Sequence, residues 1–149
     1  MNKIALVSLF LVLFLGSCKN DSPSIPSNTA TAVRILTTRP WKVERITDLN
    51  GNTINPSLLP KEAKFFFEAD IHFSEDKTVR AIDPVARKVV NGGSWDLLNN
   101  NTILKIDLSE SFKGEYPINV LERSRMSLRN TLDFEGVKFN VNLELVPVL

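Results

Sequence analysis

The one histidine of the chain, His72, lies in Asp70-Ile71-His72-Phe73-Ser74, where an acid, a base and a hydroxyl recur at a spacing of two. On a strand that spacing puts all three on the polar face, opposite Ile71 and Phe73. Their backbones are then about 7 Å apart and their side chains run parallel, beyond the direct hydrogen bond a nucleophile and its base require. His72 reads as a solvated strand histidine, and the chain is expected to have no catalytic residue and not to be an enzyme. Metal chemistry fails on ligand supply, because a structural zinc takes about four N or S donors and the chain offers one His and one Cys. The acids form no Asp-rich loop with a Gly of the EF-hand kind, and Gly92-Gly93 lacks the Lys and following Ser/Thr of a phosphate loop. No metal and no cofactor is expected. Arg123, Arg125 and Arg129 make the densest basic group, but Glu122 and Asp133 lie among them and no aromatic side chain interleaves. They read as the wet face of a hairpin rather than a nucleic-acid surface.

The elements that hold these residues belong to one domain. The 149 residues are 43% hydrophobic, enough for a core but short for two domains of ordinary size. Eighteen Lys and Arg against 17 Asp and Glu leave no electrostatic case for nucleic acid or an acidic membrane as the main partner. A single cysteine excludes an internal disulfide.

Residues 1–17 read as an export signal: Lys3 is the positive start, Ile4 to Leu15 is apolar apart from Ser8, and Gly16-Ser17 are small. As a helix the apolar run spans about 18 Å, well short of the roughly 30 Å hydrocarbon layer. Where it stops, Leu15-Gly16-Ser17-Cys18 resembles a bacterial lipobox, whose cysteine takes a diacylglycerol through a thioether before the signal is cut away in front of it. That resemblance implies lipidation at Cys18 and a further acyl chain on the new amino group. At about 0.8 kcal/mol per buried CH₂, several chains make a permanent anchor. Lys3 is the single charge removed, so the mature chain is neutral. Lys19-Asn20-Asp21 partly resembles a surface-export signal, which leaves the periplasmic side of the outer membrane and the cell surface both open. Residues 18–28 then form a flexible tether, rich in Ser, Pro and Asn.

Thr29 to Thr38 is expected to be a short helix, capped by Asn28 or Thr29 and stopped before Pro40. From Trp41 onward the apolar residues alternate, with turn clusters about every ten residues, the pattern of an antiparallel sheet. The expected strands are Trp41 to Asp48, Glu68 to Phe73, Lys77 to Ile82, Ser94 to Leu98, Thr102 to Leu108, Glu115 to Leu121, Met126 to Phe134 and Val137 to Val146. Asn91-Gly92-Gly93 is expected in a loop, Ser57 to Phe66 in a helical turn or lid. The last strand is the clearest, with Val137, Phe139, Val141, Leu143 and Leu145 on one face and Lys138, Asn140, Asn142 and Glu144 on the other. Short links between about eight strands favour an all-β, antiparallel up-and-down barrel with a short N-terminal helix. An immunoglobulin-type sandwich is the competitor, and it needs longer crossings.

Arg34-Ile35-Leu36-Thr37-Thr38-Arg39-Pro40-Trp41-Lys42, the hairpin Phe73-Ser74-Glu75-Asp76-Lys77-Thr78-Val79, Ser94-Trp95-Asp96 and the run from Tyr116-Pro117-Ile118 to Leu128, with the lipobox, resemble the lipocalin-like lipoproteins of Bacteroidetes in their order. The likeness covers residues 29–149. It implies a barrel whose interior holds a small hydrophobic or amphipathic ligand without covalent chemistry. Trp41, in place of the Gly-x-Trp of lipocalins proper, would cap the closed end beneath the helix, its burial contributing on the order of 2 to 3 kcal/mol. An ordinary core Trp is the other reading.

The expected lining is Ile71, Phe73, Val79, Trp95, Leu97 and Leu104, then Ile106, Leu128, Phe139 and Val141. Two polar residues share these apolar faces by alternation, Arg45 with Trp41 and Val43, and Asn130 with Met126, Leu128 and Leu132. Arg45 is expected to pair with the acidic head of an amphiphile and Asn130 to add a hydrogen bond; a bulge or a rim position explains both equally. Phe65-Phe66-Phe67 reads as a lip at the barrel entrance or as a helix end packed on the sheet. The alternative function is a solid barrel that serves as a binding or structural partner of another envelope protein, with a filled interior and an exposed apolar patch.

Overall fold

The computed structural model describes residues 24–55, 57, 64, 67–109, 112–134 and 137–149. The signal segment 1–17, Cys18 with the start of the tether, most of Ser57–Phe66 and Gly136 lie outside the described residues.

Helix α1 spans Thr29–Thr37. Asn28 starts it by accepting a hydrogen bond from the Thr31 N–H through its side chain at 3.1 Å, which satisfies one of the free amide donors of the first turn. Pro40 ends it by disfavouring helical geometry at Arg39. The buried face is Ala32 and Leu36, four residues apart, with Val33 and Ile35 packed beside it.

Eight strands follow: β1 Trp41–Asp48, β2 Asp70–Phe73, β3 Thr78–Ile82, β4 Val89–Leu98, β5 Ile103–Ser109, β6 Phe112–Leu121, β7 Met126–Phe134 and β8 Val137–Pro147. Each pairs antiparallel with its neighbour in sequence, and β8 returns to β1, so the sheet is a closed up-and-down barrel. The expected all-β eight-stranded barrel with a short helix is therefore the fold. Its tight turns use the residues their dihedrals demand. Asn99, Asn100 and Asn101 all have positive φ (49°, 55° and 67°), a region Asn tolerates better than most residues. Asp76 accepts from the Thr78 N–H at 3.0 Å and its hydroxyl at 2.7 Å, fixing the β2–β3 turn.

Two expectations about the chain's path are corrected. Asn91-Gly92-Gly93 is part of β4 rather than a loop, because Gly93 allows β4 and β5 to come together. A Cβ at Gly93 would stand 1.7 Å from the Asp107 carbonyl oxygen. The last residues of the tether also pack: Leu121 donates its N–H to the Ser24 carbonyl at 2.9 Å, and the Asn101 side chain donates to the Pro26 carbonyl at 3.1 Å. Ile25 joins the hydrophobic core there.

These contacts define two ends. At the closed end gather α1, the segment Ser24–Asn28, the start of β1, the three turns at 74–77, 99–102 and 122–125, and the C-terminus, where Val148 donates its N–H to the Pro40 carbonyl at 2.9 Å. The other ends of the strands, at Asp48, Asp70, Ile82, Val89, Ser109, Phe112, Phe134 and Val137, lie at the opposite end.

Candidate functional site

Alternation around the closed sheet turns one side chain in two towards the axis, and at the described positions these are overwhelmingly apolar. Ile71, Phe73, Val79, Trp95, Leu104, Ile106, Leu128 and Val141 are buried, on the strands and faces expected of them. Leu97 is half-buried against the same cluster.

Trp41 is 1% exposed, and its indole N–H donates to the Leu36 carbonyl of α1 at 3.0 Å. The ring therefore lies between the helix and the barrel, and its one polar atom satisfies a carbonyl in the last turn of the helix. Trp95 is held as firmly near this end. Its indole N–H donates to the Ser74 carbonyl at 3.0 Å, its ring meets Phe73 edge-on at 5.6 Å, and the Lys77 ammonium sits 4.3 Å above it while pairing with Asp96 at 2.9 Å. Both tryptophans thus spend their donors on the protein, and neither N–H is left to face a ligand.

Arg45 is corrected: it is exposed, not directed into the barrel. The pairing of β1 with β8 slips between Val43 and Arg45, a bulge that takes up one extra residue and returns Ile46, at 2% exposure, to the inward face. Phe139 keeps the inward parity of Val141 across an unbroken ladder with β7. It is nevertheless 49% exposed, because it stands at the rim where no further layer covers it. Asn130 is half-buried opposite Val141; its side-chain oxygen accepts from the Thr131 N–H at 2.8 Å. Of the phenylalanine run, Phe67 packs on the core, and Phe65 and Phe66 lie outside the described residues.

The rim is apolar beyond Phe139. Leu49, Val85, Val89 and Val90 are exposed as well, and all belong to the end away from α1. Among the described residues, the large hydrophobics left exposed are these five and the C-terminal Leu149.

No protein-family model and no curated protein matches this chain. The site therefore rests on its own geometry.

His72 belongs to the outward face, as expected. His72 lies opposite Arg80 across the β2–β3 ladder; partial desolvation lowers its pKa, the Arg80 charge lowers it further, and Asp70 opposes both. Among the described residues, no three His, Cys, Asp or Glu side chains approach closely enough to hold a metal.

Sequence reasoning missed several buried core positions, Ile46, Ala81, Phe112 and Ile118 among them, and the one with a polar atom is Tyr116. It is buried at 4% exposure, opposite the inward-facing Leu104, with its ring centroid 5.1 Å from that of Phe112. Burial pushes its phenol up to about 12. The signal was present as Phe112-x-Gly114-x-Tyr116-x-Ile118, a period of two that disappears when the strand is begun at Glu115. Gly114, at φ 154°, has no side chain to mark the inward face at that step.

Proposed function

We propose that the chain is a lipocalin-like lipoprotein of the bacterial outer membrane, anchored through Cys18, that carries a small hydrophobic or amphipathic molecule in the barrel and performs no covalent chemistry on it. One observation carries this reading. The cylinder is apolar inside and stoppered at one end by α1 and Trp41, while the exposed apolar side chains Leu49, Val85, Val89, Val90 and Phe139 collect at the other. An eight-stranded barrel encloses space for packed side chains or for one small ligand, and an apolar rim is the entrance such a ligand would use.

The anchor and the mouth sit at opposite ends. Five residues separate Cys18 from Ser24, a reach of at most about 20 Å, and Ser24 is bonded to the closed end. That end therefore faces the bilayer, and the mouth points towards whatever delivers or receives the ligand. Arg34, Arg39 and Arg123, which form no ion pair among the described residues, line a cleft of about 420 Å³ at the closed end and suit an anionic headgroup layer.

The test is native mass spectrometry of the protein purified from its own host, together with fatty-acid labelling of the wild type and Cys18→Ala. A bound small molecule, and label that disappears in the variant, are expected. Equal label in both removes the anchor. Repeated failure to find or titrate any ligand favours the solid barrel, whose apolar rim would then cover an envelope protein instead.

A further inference from the structure

Among the described residues no charged side chain is buried in the lumen. Among the described residues the buried polar ones are Thr47, Asn101 and Ser127, and each serves the wall. Thr47 lies under the strand-like return at Thr53, Asn101 holds Ser24–Asn28, and Ser127 donates to Glu144 on the outer face at 3.1 Å. Arg45, the one cation that alternation would have placed inside, is carried out by the bulge.

Against this lining stands the Tyr116 hydroxyl. No described residue hydrogen-bonds to it, yet among the described residues every sealed side-chain N or O has a partner. This oxygen therefore borders space that a water or a ligand atom can enter. A phenol hydroxyl buried in an apolar wall without a protein partner is costly unless something else accepts its proton in a hydrogen bond. Ile118 pairs with Leu128 across β6 and β7. Two residues nearer the mouth on each strand stand Tyr116 and Asn130, both on the inward face, and the Asn130 amide nitrogen has no described partner.

We propose that the interior ligand is a neutral amphiphile: an apolar body carrying one uncharged hydrogen-bond acceptor, a carbonyl or hydroxyl oxygen, that the Tyr116 hydroxyl binds, with the Asn130 amide as a second donor nearer the mouth. A carboxylate or phosphate head is disfavoured at this position because no cation among the described residues reaches it to offset its desolvation. The inference rests on the reading of the barrel as a ligand container and adds the chemistry of what is contained.

Three probes of nearly the same shape test it by fluorescence titration at pH 7: 2-acetylnaphthalene, 2-isopropylnaphthalene and 2-naphthoate, each against wild type and Tyr116→Phe. The expected result is that the ketone loses about tenfold in affinity in Tyr116→Phe, the value of one net hydrogen bond, while the hydrocarbon is unchanged and so reports that the variant is folded. In wild type, naphthoate should bind at least tenfold more weakly than the ketone, a comparison that needs no variant. If ketone and hydrocarbon respond alike to the substitution, or naphthoate matches the ketone, the proposal is overturned and the container stands. If none of the three binds, the container reading fails and takes this one with it.

Discussion

Two adjacent glycines in β4 should respond oppositely to the same substitution. At Gly93 an added Cβ would lie 1.7 Å from the Asp107 carbonyl oxygen, 2.8 Å from its carbon and 3.1 Å from the Leu108 Cα. All three atoms are backbone, so no side chain can rotate away. Reaching even a 3.0 Å contact requires the strands to part by more than about 1 Å, against a normal spacing of about 4.8 Å. That displacement acts where Gly93 pairs with Val79 and Ser94 with Asp107. Ordinary overpacking costs about 1–3 kcal/mol and each weakened ladder hydrogen bond about 1 kcal/mol, so Gly93→Ala should destabilise the barrel by about 3 kcal/mol. At Gly92 the nearest atom to an added Cβ is the Val79 carbonyl oxygen at 3.9 Å, an ordinary contact. Gly92→Ala should therefore lie within about 0.5 kcal/mol of wild type, or be slightly stabilising through the entropy of the unfolded chain. Urea unfolding followed by fluorescence of Trp41 and Trp95 measures both. At this chain length the Gly93 variant should also melt about 10 °C lower. A cost below 1 kcal/mol at Gly93, or equal costs at the two positions, would refute the close approach of β4 and β5.

Two further predictions concern the stopper and the lumen. Trp41→Phe keeps an aromatic ring but leaves the Leu36 carbonyl without its 3.0 Å donor; a loss of about 2 kcal/mol is expected in the same urea assay, and a loss under 0.5 kcal/mol would mean that the indole does not hold the helix to the barrel. Tyr116 is the only tyrosine of the chain, so absorbance at 295 nm reads it alone. Its midpoint should fall near 12, against about 10 for a free phenol. Because the folded state holds this proton more tightly, stability should be unaffected by Tyr116 below pH 10 and decline as pH rises from there through the folded pKa. A midpoint near 10 would place the hydroxyl in water.

The barrel was legible because its wall is a record of period two. Val141, Leu143 and Leu145 on β8, and Met126 and Leu128 on β7, announce an inward face that the structure keeps. The signal failed where that period is interrupted. In β1 the expectation for Arg45 assumed an unbroken count from Trp41, and a single inserted residue reverses every later side chain. In β4, Gly92-Gly93 carries the chemical mark of a turn, but the glycine serves a neighbouring strand that alternation cannot see. In β6, Gly114 interrupts the pattern at the step before Tyr116, and so its hydroxyl carries no mark in the sequence. Bulges and close approaches are properties of strand pairs, whereas sequence patterns describe strands singly.

The distribution of those strand pairs bears on how a ligand would pass. β7 is laddered to β8 from Met126 to Phe134, and β8 to β1 from Trp41 to Asp48, so these three strands form one continuous block. β2 to β6 form another. The blocks are joined by the single pair Trp41–Ile71 on one side and by Ile118–Leu121 with Met126–Leu128 on the other. Both joints lie towards the closed end, beneath Tyr116 and Asn130. Nearer the mouth, the β1 edge is covered instead by the return at Thr53–Ile54, which donates the Ile54 N–H to the Ile46 carbonyl at 2.8 Å. Ladder hydrogen bonds therefore fix the spacing of the two blocks around the stopper and constrain it least at the rim. Local opening follows such a gradient of backbone bonding and burial, so the end of the barrel that is easiest to widen is the one bearing Phe139, Val89 and Val90.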